Sequence, residues 1–281
     1  MVNMLSRVLN PVRVAAREKL QRAVSEAVAG VVRPEVDRAV NATRDFEMRS
    51  RRDLFAAGER DAAVSTARLV HQEMASARML PDPIATLNHA LSLAPAEGMA
   101  LEFGVYSGKT LTEIARSRKG VDVYGFDSFE GLPEHWRAGF PEGTFGGEML
   151  PDGPPQVEGA ELVVGWFDQT LPRFLDAHPG PVAFLHVDCD IYSSTKTVLE
   201  LVGPRLRKGS VVVFDEFFNY PGWQFGEYRA WGEHVDATGW KFSYEAFTID
   251  NEQVAVRLTD VGPGVDIDRF ARAPQAAVQH S

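Results

Sequence analysis

The hydrophobic pattern of the sequence changes at Met99, and from there apolar strand patterns alternate with helical patterns. This alternation predicts βαβ units and therefore an α/β fold with a parallel sheet. Two further strand patterns close the series without a helix between them, which predicts a terminal hairpin and a mostly parallel sheet of seven strands with helices on both faces. The predicted strands cover residues 99–103, 121–126, 161–164, 182–187, 210–214, 241–249 and 253–258, and the predicted helices cover 107–118, 170–177, 193–206 and 224–237.

Four of the predicted strands end in a carboxylate, namely Glu102, Asp127, Asp188 and Asp215. Ligands of open parallel sheets bind beyond the carboxyl ends of the strands, so these acids are expected to lie along one binding rim. Asp127 ends the second strand, where an acid accepts hydrogen bonds from a ribose diol. The alternative for Asp127 is a turn or helix-capping role.

Two glycines follow the first strand, and they predict a sharp turn into the next helix. Gly104 and Gly108 let a ligand approach the backbone closely. The free N–H groups of the helix start would then face that ligand. The spacing is not that of dinucleotide-binding or P-loop fingerprints, so neither class is predicted. Trp166 and Phe167 follow the third strand and are candidates for an adenine pocket, or else ordinary core aromatics.

A second group of acids predicts a cation site. Asp188, Asp215 and Glu216 close adjacent strands, where three carboxylates would repel each other without a cation between them. Oxygen ligands of this kind suit Mg²⁺, Mn²⁺ or Ca²⁺. Asp190 is either part of this group or a helix cap, and its spacing from Asp188 also resembles the Asp-x-Asp of glycosyltransferases. His186 is predicted to be a core histidine with its hydrogen bonds satisfied.

Residues 1–60 form a separate segment with apolar residues at helical spacing and interleaved arginines. Up to Arg52 it holds 11 basic and 6 acidic residues, and Pro11 and Pro34 are expected to break or start helices there. We predict a basic helical arm that packs on a second subunit, giving a homo-oligomer, or on the rest of the chain. Contact with an anionic membrane surface and disorder of the first residues are the alternatives.

The remaining segments complete the predicted organisation. Residues 61–98 are predicted to be helices that cover the ligand cleft, 99–260 the catalytic domain, and 261–281 a loose tail. A segment rich in Gly and Pro, residues 134–159, is long enough to be a lid or a mobile insertion.

Charge and cysteine content exclude some functions. The net charge of −10 argues against nucleic acid as a partner, because phosphate binding needs a basic face. The single cysteine, Cys189, excludes an intramolecular disulfide and fits the cytoplasm. No apolar run approaches the length of a membrane span.

Four motifs occur in order and carry a specific family resemblance: residues 101–108 (LEFGVYSG), 125–134 (GFDSFEGLPE), 188–195 (DCDIYSST) and 209–216 (GSVVVFDE). The first of them resembles the opening motif of class I S-adenosylmethionine (SAM) methyltransferases. Together they resemble the macrocin O-methyltransferase family, whose members are metal-dependent SAM enzymes that methylate sugar hydroxyls in natural products. The resemblance implies a Rossmann-like class I methyltransferase fold.

The resemblance also implies roles for individual residues. Mg²⁺, or Mn²⁺ or Ca²⁺, would bind Asp188, Asp215 and Glu216. Independently of the resemblance, Asp188 is expected to act as the catalytic base, because it would lie within reach of the metal-bound hydroxyl. Glu216 departs from the family pattern, which has a second aspartate there. SAM would bind Glu102, Gly104, Tyr106, Ser107, Gly108, Asp127, Ser128, Phe129, Trp166 and Phe167.

Two other functions remain open at this point. One is an O-methyltransferase of a catechol-like phenol, and the other is a non-catalytic SAM-binding interaction protein. The aromatic run 217–223 is a candidate sugar-stacking wall.

Overall fold

The computed structural model describes residues 2–147, 150–151 and 153–262, with side chains from residue 14 onward. It divides into two compact units, residues 1–57 and 58–281. The tail predicted for residues 261–281 lies outside the described residues from position 263 onward.

The first unit consists mainly of one long helix, α1 (Val2–Ser50). Pro11 and Pro34 lie inside this helix, so the prediction that they interrupt it is wrong. Val24, Val28 and Val31 share one face of α1 and are more than half exposed. Among the described helices, none combines the length and the apolar character needed to cross a membrane.

The second unit is the α/β domain. Its strands are β1 (Arg78–Leu80), β2 (Met99–Phe103), β3 (Val123–Asp127), β4 (Glu161–Val164), β5 (Val182–Val187), β6 (Leu206–Phe214), β7 (Lys241–Thr248) and β8 (Val254–Asp260). Its helices are α2 (Leu54–Glu73), which begins in the first unit, α3 (Pro83–Leu93), α4 (Lys109–Ser117), α5 (Phe167–Ala177), α6 (Tyr192–Val202) and α7 (Glu227–Thr238).

The strands form one sheet in the order β1-β7-β8-β6-β5-β2-β3-β4. All neighbouring pairs are parallel except the two that involve β8, which is antiparallel to β6 and β7. The sheet has eight strands rather than the seven predicted. The additional strand, β1, pairs with β7 at the edge and lies where the sequence pattern predicted the end of a helix.

Proline explains a second difference from the predicted elements. The helix predicted to reach residue 206 ends at Val202, and a single 3-10 turn, Gly203–Arg205, follows. Pro204 has no N–H to continue the helical ladder. The chain therefore enters β6 at Leu206, four residues before the predicted start of that strand.

The strand order reverses between β2 and β5, because β3 follows β2 on one side and β6 follows β5 on the other. Such switch points leave a crevice at the carboxyl ends of the strands. The strands beside it are buried along their whole length: β2 and β5 contain no exposed residue, and apolar clusters cover both faces of the sheet. The sheet thus holds the ends of β2, β5 and β6 next to each other.

Candidate active site

A cavity of about 350 Å³ lies at this switch point. Six of the residues predicted to bind the cofactor line it: Gly104, Tyr106, Asp127, Ser128, Trp166 and Phe167. Asp188 and Glu216, predicted to bind a metal, also line it. Of the four strand-end acids, Asp127 and Asp188 therefore face one space with the aromatic residues after β4, whereas Glu102 and Asp215 are not among the residues that line it.

Four predicted cofactor residues are not among those that line the cavity: Glu102, Ser107, Gly108 and Phe129. Glu102 is fully buried within β2 and contacts His186. Gly108 precedes α4 with a φ of 74°, and a Cβ there would lie within 3.1 Å of Pro155 and Val157. The N-terminus of α4 therefore has the 155–157 segment against it.

Asp127 holds the loop that follows β2. Its Oδ2 atom accepts hydrogen bonds from the backbone N–H groups of Val105 and Tyr106, both at 2.9 Å. Its Oδ1 atom accepts one from the N–H of Phe129 at 2.8 Å. Each carboxylate oxygen can accept more than one hydrogen bond, so Asp127 both shapes the loop and retains acceptor capacity toward the cavity.

Gly104 brings two strand-end loops into contact. Its φ is 90°, and an added Cβ would lie 1.6 Å from the carbonyl oxygen of Asp188. The sequence suggested that this glycine admits a ligand; in the structure it lines the cavity and also admits the backbone at Asp188. The loop at Gly104 and the end of β5 at Asp188 are therefore in direct backbone contact.

The acids around Asp188 form a dense cluster. Asp188 and Asp215 follow β5 and β6, and Asp190, Glu216 and Glu227 are buried around them. Within the described part of the chain, His186, Asp188 and Asp215 form the one group of three whose ligand atoms all lie within 4.8 Å of one another. Glu216, which the sequence assigned to the metal, is outside this group, and its N–H donates to Glu227 Oε2 at 3.0 Å.

Burial and mutual repulsion shift the pKa values in this cluster. Burial first, and neighbouring carboxylates second, hold the pKa values of Asp188 and Glu216 well above their usual range. The same causes raise the pKa of Asp190 to about 7. Burial alone would raise the pKa of Asp215, but its contact with His186 lowers it.

The cluster fits a cation. Glu216 Oε2 and Glu227 Oε1 are buried without a hydrogen-bond partner. Buried anionic oxygens without partners are costly, and a divalent cation would offset that cost. The oxygen-rich donor set suits Mg²⁺ or Mn²⁺.

The metal-free protein is expected to lose stability as pH rises, because the folded state retains protons that the unfolded state releases. For Asp190 the loss begins near the unfolded pKa of 3.8 and is complete above about 7. Asp190→Asn should make the free energy of unfolding decrease less steeply with pH and should raise it at about pH 8 by about 1–2 kcal/mol. Asn also tolerates the φ of 63° at this position.

Denaturant unfolding in chelator across this pH range measures the effect. The matched control is Asp176→Asn, an exposed acid on α5, which should leave the slope unchanged. Parallel pH profiles for wild type and Asp190→Asn would contradict the assignment.

Part of the cavity wall comes from the segment between β3 and β4. The sequence predicted only that this long Gly- and Pro-rich segment is a lid or a mobile insertion. Backbone hydrogen bonds between Leu132 and the 143–144 turn fold it back on itself. Arg137 stacks on Trp136, with its guanidinium carbon 3.9 Å from the ring centroid. Its Nη1 atom also donates to both carboxylate oxygens of Glu252, at 3.0 and 3.1 Å.

The predicted stacking wall after β6 is wrong. Phe217, Phe218, Tyr220 and Trp223 are all less than 5% exposed and belong to the core. Trp136, Phe140 and Phe145 line the cavity instead. No spacing signal marked these three residues individually, because they lie in irregular backbone.

The comparisons with known proteins agree with this architecture. Residues 101–217 match a family model described as a methyltransferase domain. A segment of 53 residues is 42% identical to "8-demethyl-8-(2,3-dimethoxy-alpha-L-rhamnosyl)-tetracenomycin-C 4'-O-methyltransferase" of Streptomyces olivaceus, and this match covers 19% of each chain.

Solved structures that align with part of this chain include the calicheamicin methyltransferase CalS11 and the O-methyltransferase NovP. CalS11 is 27% identical, with a TM-score of 0.48 over 61% of this chain and 75% of its own. NovP is 22% identical, with a TM-score of 0.45 over 62% of this chain and 79% of its own. The family match spans β2 to the end of β6, the strands that build the cavity, so the methyltransferase resemblance is confirmed and this chain contains a methyltransferase domain.

Proposed function

We propose that the protein is a SAM- and divalent-metal-dependent O-methyltransferase that acts on a sugar hydroxyl of a glycosylated natural product. The observation that carries this proposal is one cavity lined both by the Asp127 loop and by Asp188 and Glu216 of the acidic cluster. A methyl donor and a coordinated hydroxyl would meet between them.

The donor end suits SAM. Asp127 would receive the ribose hydroxyls, and Ser128, Trp166 and Phe167 would enclose the adenine. SAM supplies the methyl group when it is bound. The protein's part is to orient it, because alignment of donor and nucleophile in a site with little water supplies much of the acceleration.

The acceptor end suits a hydroxyl group. Asp188, Asp215 and Glu216 would hold the divalent ion, which lowers the pKa of a bound hydroxyl. Asp188 lies at the cavity wall and would take the proton that the hydroxyl releases.

Charge favours a neutral acceptor. Arg137 is the one cationic residue among the described residues that line the cavity, and Glu252 already neutralises it. The surrounding carboxylates disfavour an acceptor with phosphate groups. The relative that shares a 42% identical segment is named as an enzyme of a rhamnosyl-bearing tetracenomycin, which supports a glycoside.

A panel of acceptors tests the proposal. Methyl transfer from labelled SAM to deoxysugar glycosides, but not to catechols, supports it. Preferential transfer to catechols would favour the phenol alternative, which uses the same metal chemistry. SAM binding without transfer to any acceptor, in Mg²⁺ or Mn²⁺, would favour a non-catalytic role.

Asp127→Ala should weaken SAM binding by about 1–3 kcal/mol, because the Val105–Tyr106 loop loses its acceptor and the ribose loses a charged partner. Isothermal titration calorimetry measures the change. Asp82→Ala is the matched control: Asp82 also accepts a backbone N–H, at the start of α3, and its loss should leave SAM affinity unchanged. Equal SAM affinity in wild type and Asp127→Ala would remove Asp127 from the site.

The arm is proposed to make the protein a homo-oligomer. The exposed valines of α1 lie on one face, as expected of a helix that packs on another copy. Deleting residues 1–52 leaves α2 complete and should lower the mass in light scattering. An unchanged mass with an unchanged thermal midpoint would favour the membrane-surface alternative. We also propose that the protein acts in the cytoplasm, consistent with its one buried, free cysteine.

A further inference from the structure

A line of polar side chains crosses the sheet at four adjacent strands and includes Asp215 of the acidic cluster. Glu102 on β2 lies in register with His186 on β5, and β6 and β8 follow in the sheet order. Glu102 is fully buried and His186 is 1% exposed. Burying polar side chains this deep in a sheet costs free energy unless they hydrogen-bond to one another.

Each contact in the line leads to Asp215. Glu102 Oε1 lies 2.9 Å from His186 Nδ1. His186 Nε2 on the other side of the ring lies 3.6 Å from Asp215 Oδ1. Gln253, just before β8, donates from Nε2 to Asp215 Oδ2 at 3.1 Å. Asp215 therefore has a polar neighbour at each oxygen, one from each adjacent strand.

Glu102 and His186 have different roles, because only His186 contacts Asp215 directly. Glu102 reaches neither the cavity nor Asp215, so it acts through the imidazole ring. His186 has one nitrogen on Glu102, which fixes the ring and directs the other nitrogen at the carboxylate. Residues that orient a metal-binding carboxylate in this way affect metal affinity without touching the ion.

We propose that Glu102 and His186 are positioning residues that orient Asp215 for metal binding, with Gln253 holding its second oxygen. This inference rests on the proposed metal site. It differs from the cofactor role that the sequence suggested for Glu102. It also gives His186, which is buried and has a partner at each ring nitrogen like the satisfied core histidine predicted from the sequence, a supporting role at the site rather than that of a ligand.

The test measures Mn²⁺ affinity directly, by calorimetry on the full-length protein, alongside the thermal midpoint. Glu102→Leu and His186→Phe should each weaken Mn²⁺ binding by about 10–100-fold. Glu102→Gln retains an oxygen that can face Nδ1 and should restore affinity to within about threefold of wild type. Gln253→Leu should have a smaller effect in the same direction, because it frees only Oδ2.

A matched control separates positioning from general destabilisation. Thr86 and Thr248 form a buried hydroxyl pair at 2.8 Å elsewhere in the domain. Thr86→Val removes a buried hydrogen bond and should lower the thermal midpoint while leaving Mn²⁺ affinity unchanged. Equal losses of Mn²⁺ affinity in Thr86→Val and Glu102→Leu would overturn the positioning role.

Three further outcomes bear on the inference. Wild-type Mn²⁺ affinity in both Glu102→Leu and His186→Phe would overturn the positioning role alone, with the metal site intact. Electron spin echo spectra that show imidazole nitrogen bound directly to Mn²⁺ would make His186 a ligand, and spectra without that coupling support positioning. A wild-type protein that binds no Mn²⁺ would overturn the metal site and the positioning role together.

Discussion

Asp188→Asn should lower the rate of methyl transfer by about 100-fold or more, the scale for the loss of a general base, and metal affinity should fall with it. Asp188 lies at the cavity wall where β5 ends, and its backbone is held by a hydrogen bond to the carbonyl of Phe103. Asparagine preserves the shape of the side chain but removes the charge, so the effect reports chemistry rather than packing.

Glu216→Gln is the comparison for this prediction. Glu216 lies outside the closest group of ligand atoms, so its substitution should cost less activity than that of Asp188. SAM affinity should survive both changes, because neither residue belongs to the Asp127 loop that is proposed to bind SAM. A chelator should abolish transfer in wild type, and Mg²⁺ or Mn²⁺ should restore it. Transfer at full rate in excess chelator would falsify the metal proposal.

Gly104→Ala should destabilise the domain by about 3–5 kcal/mol, which is among the largest effects expected of a single substitution. The added Cβ would overlap the carbonyl oxygen of Asp188, and the φ of 90° adds backbone strain. To relieve the overlap, the ends of β2 and β5 must move apart. SAM binding and metal binding should therefore be lost together, as denaturant unfolding and calorimetry would show.

Gly120→Ala is a close control. Gly120 has a φ of 88°, nearly that of Gly104, but an added Cβ there meets nothing within 4 Å. Gly120→Ala should therefore destabilise the domain only through the strain of a positive φ, by about 1–2 kcal/mol. If both variants were equally stable, the contact between Gly104 and Asp188 would not hold the two loops together.

The strand series from Met99 was readable from the sequence because buried parallel strands are continuous apolar runs. β4 and β5 have the predicted bounds, and Asp127 and Asp188 face the predicted rim, whereas Glu102 is buried within β2. The methyltransferase resemblance came from short motifs at these strand ends. Such motifs can be read from the sequence because the turns at the strand ends require particular residues. The eighth strand escaped prediction because β1 has only three residues and pairs with a strand far along the chain.

Local sequence determined the strands, the glycine turns and the positions of the strand-end acids, because each depends on a few consecutive residues. Only the tertiary structure decided which of these groups meet. Glu102 and His186 are 84 positions apart, and register alone brings them together. Trp136 and Arg137 became part of the wall because a distant hairpin supplies Glu252. Pairings of this kind depend on strand order and register, which are properties of the whole sheet rather than of any one segment.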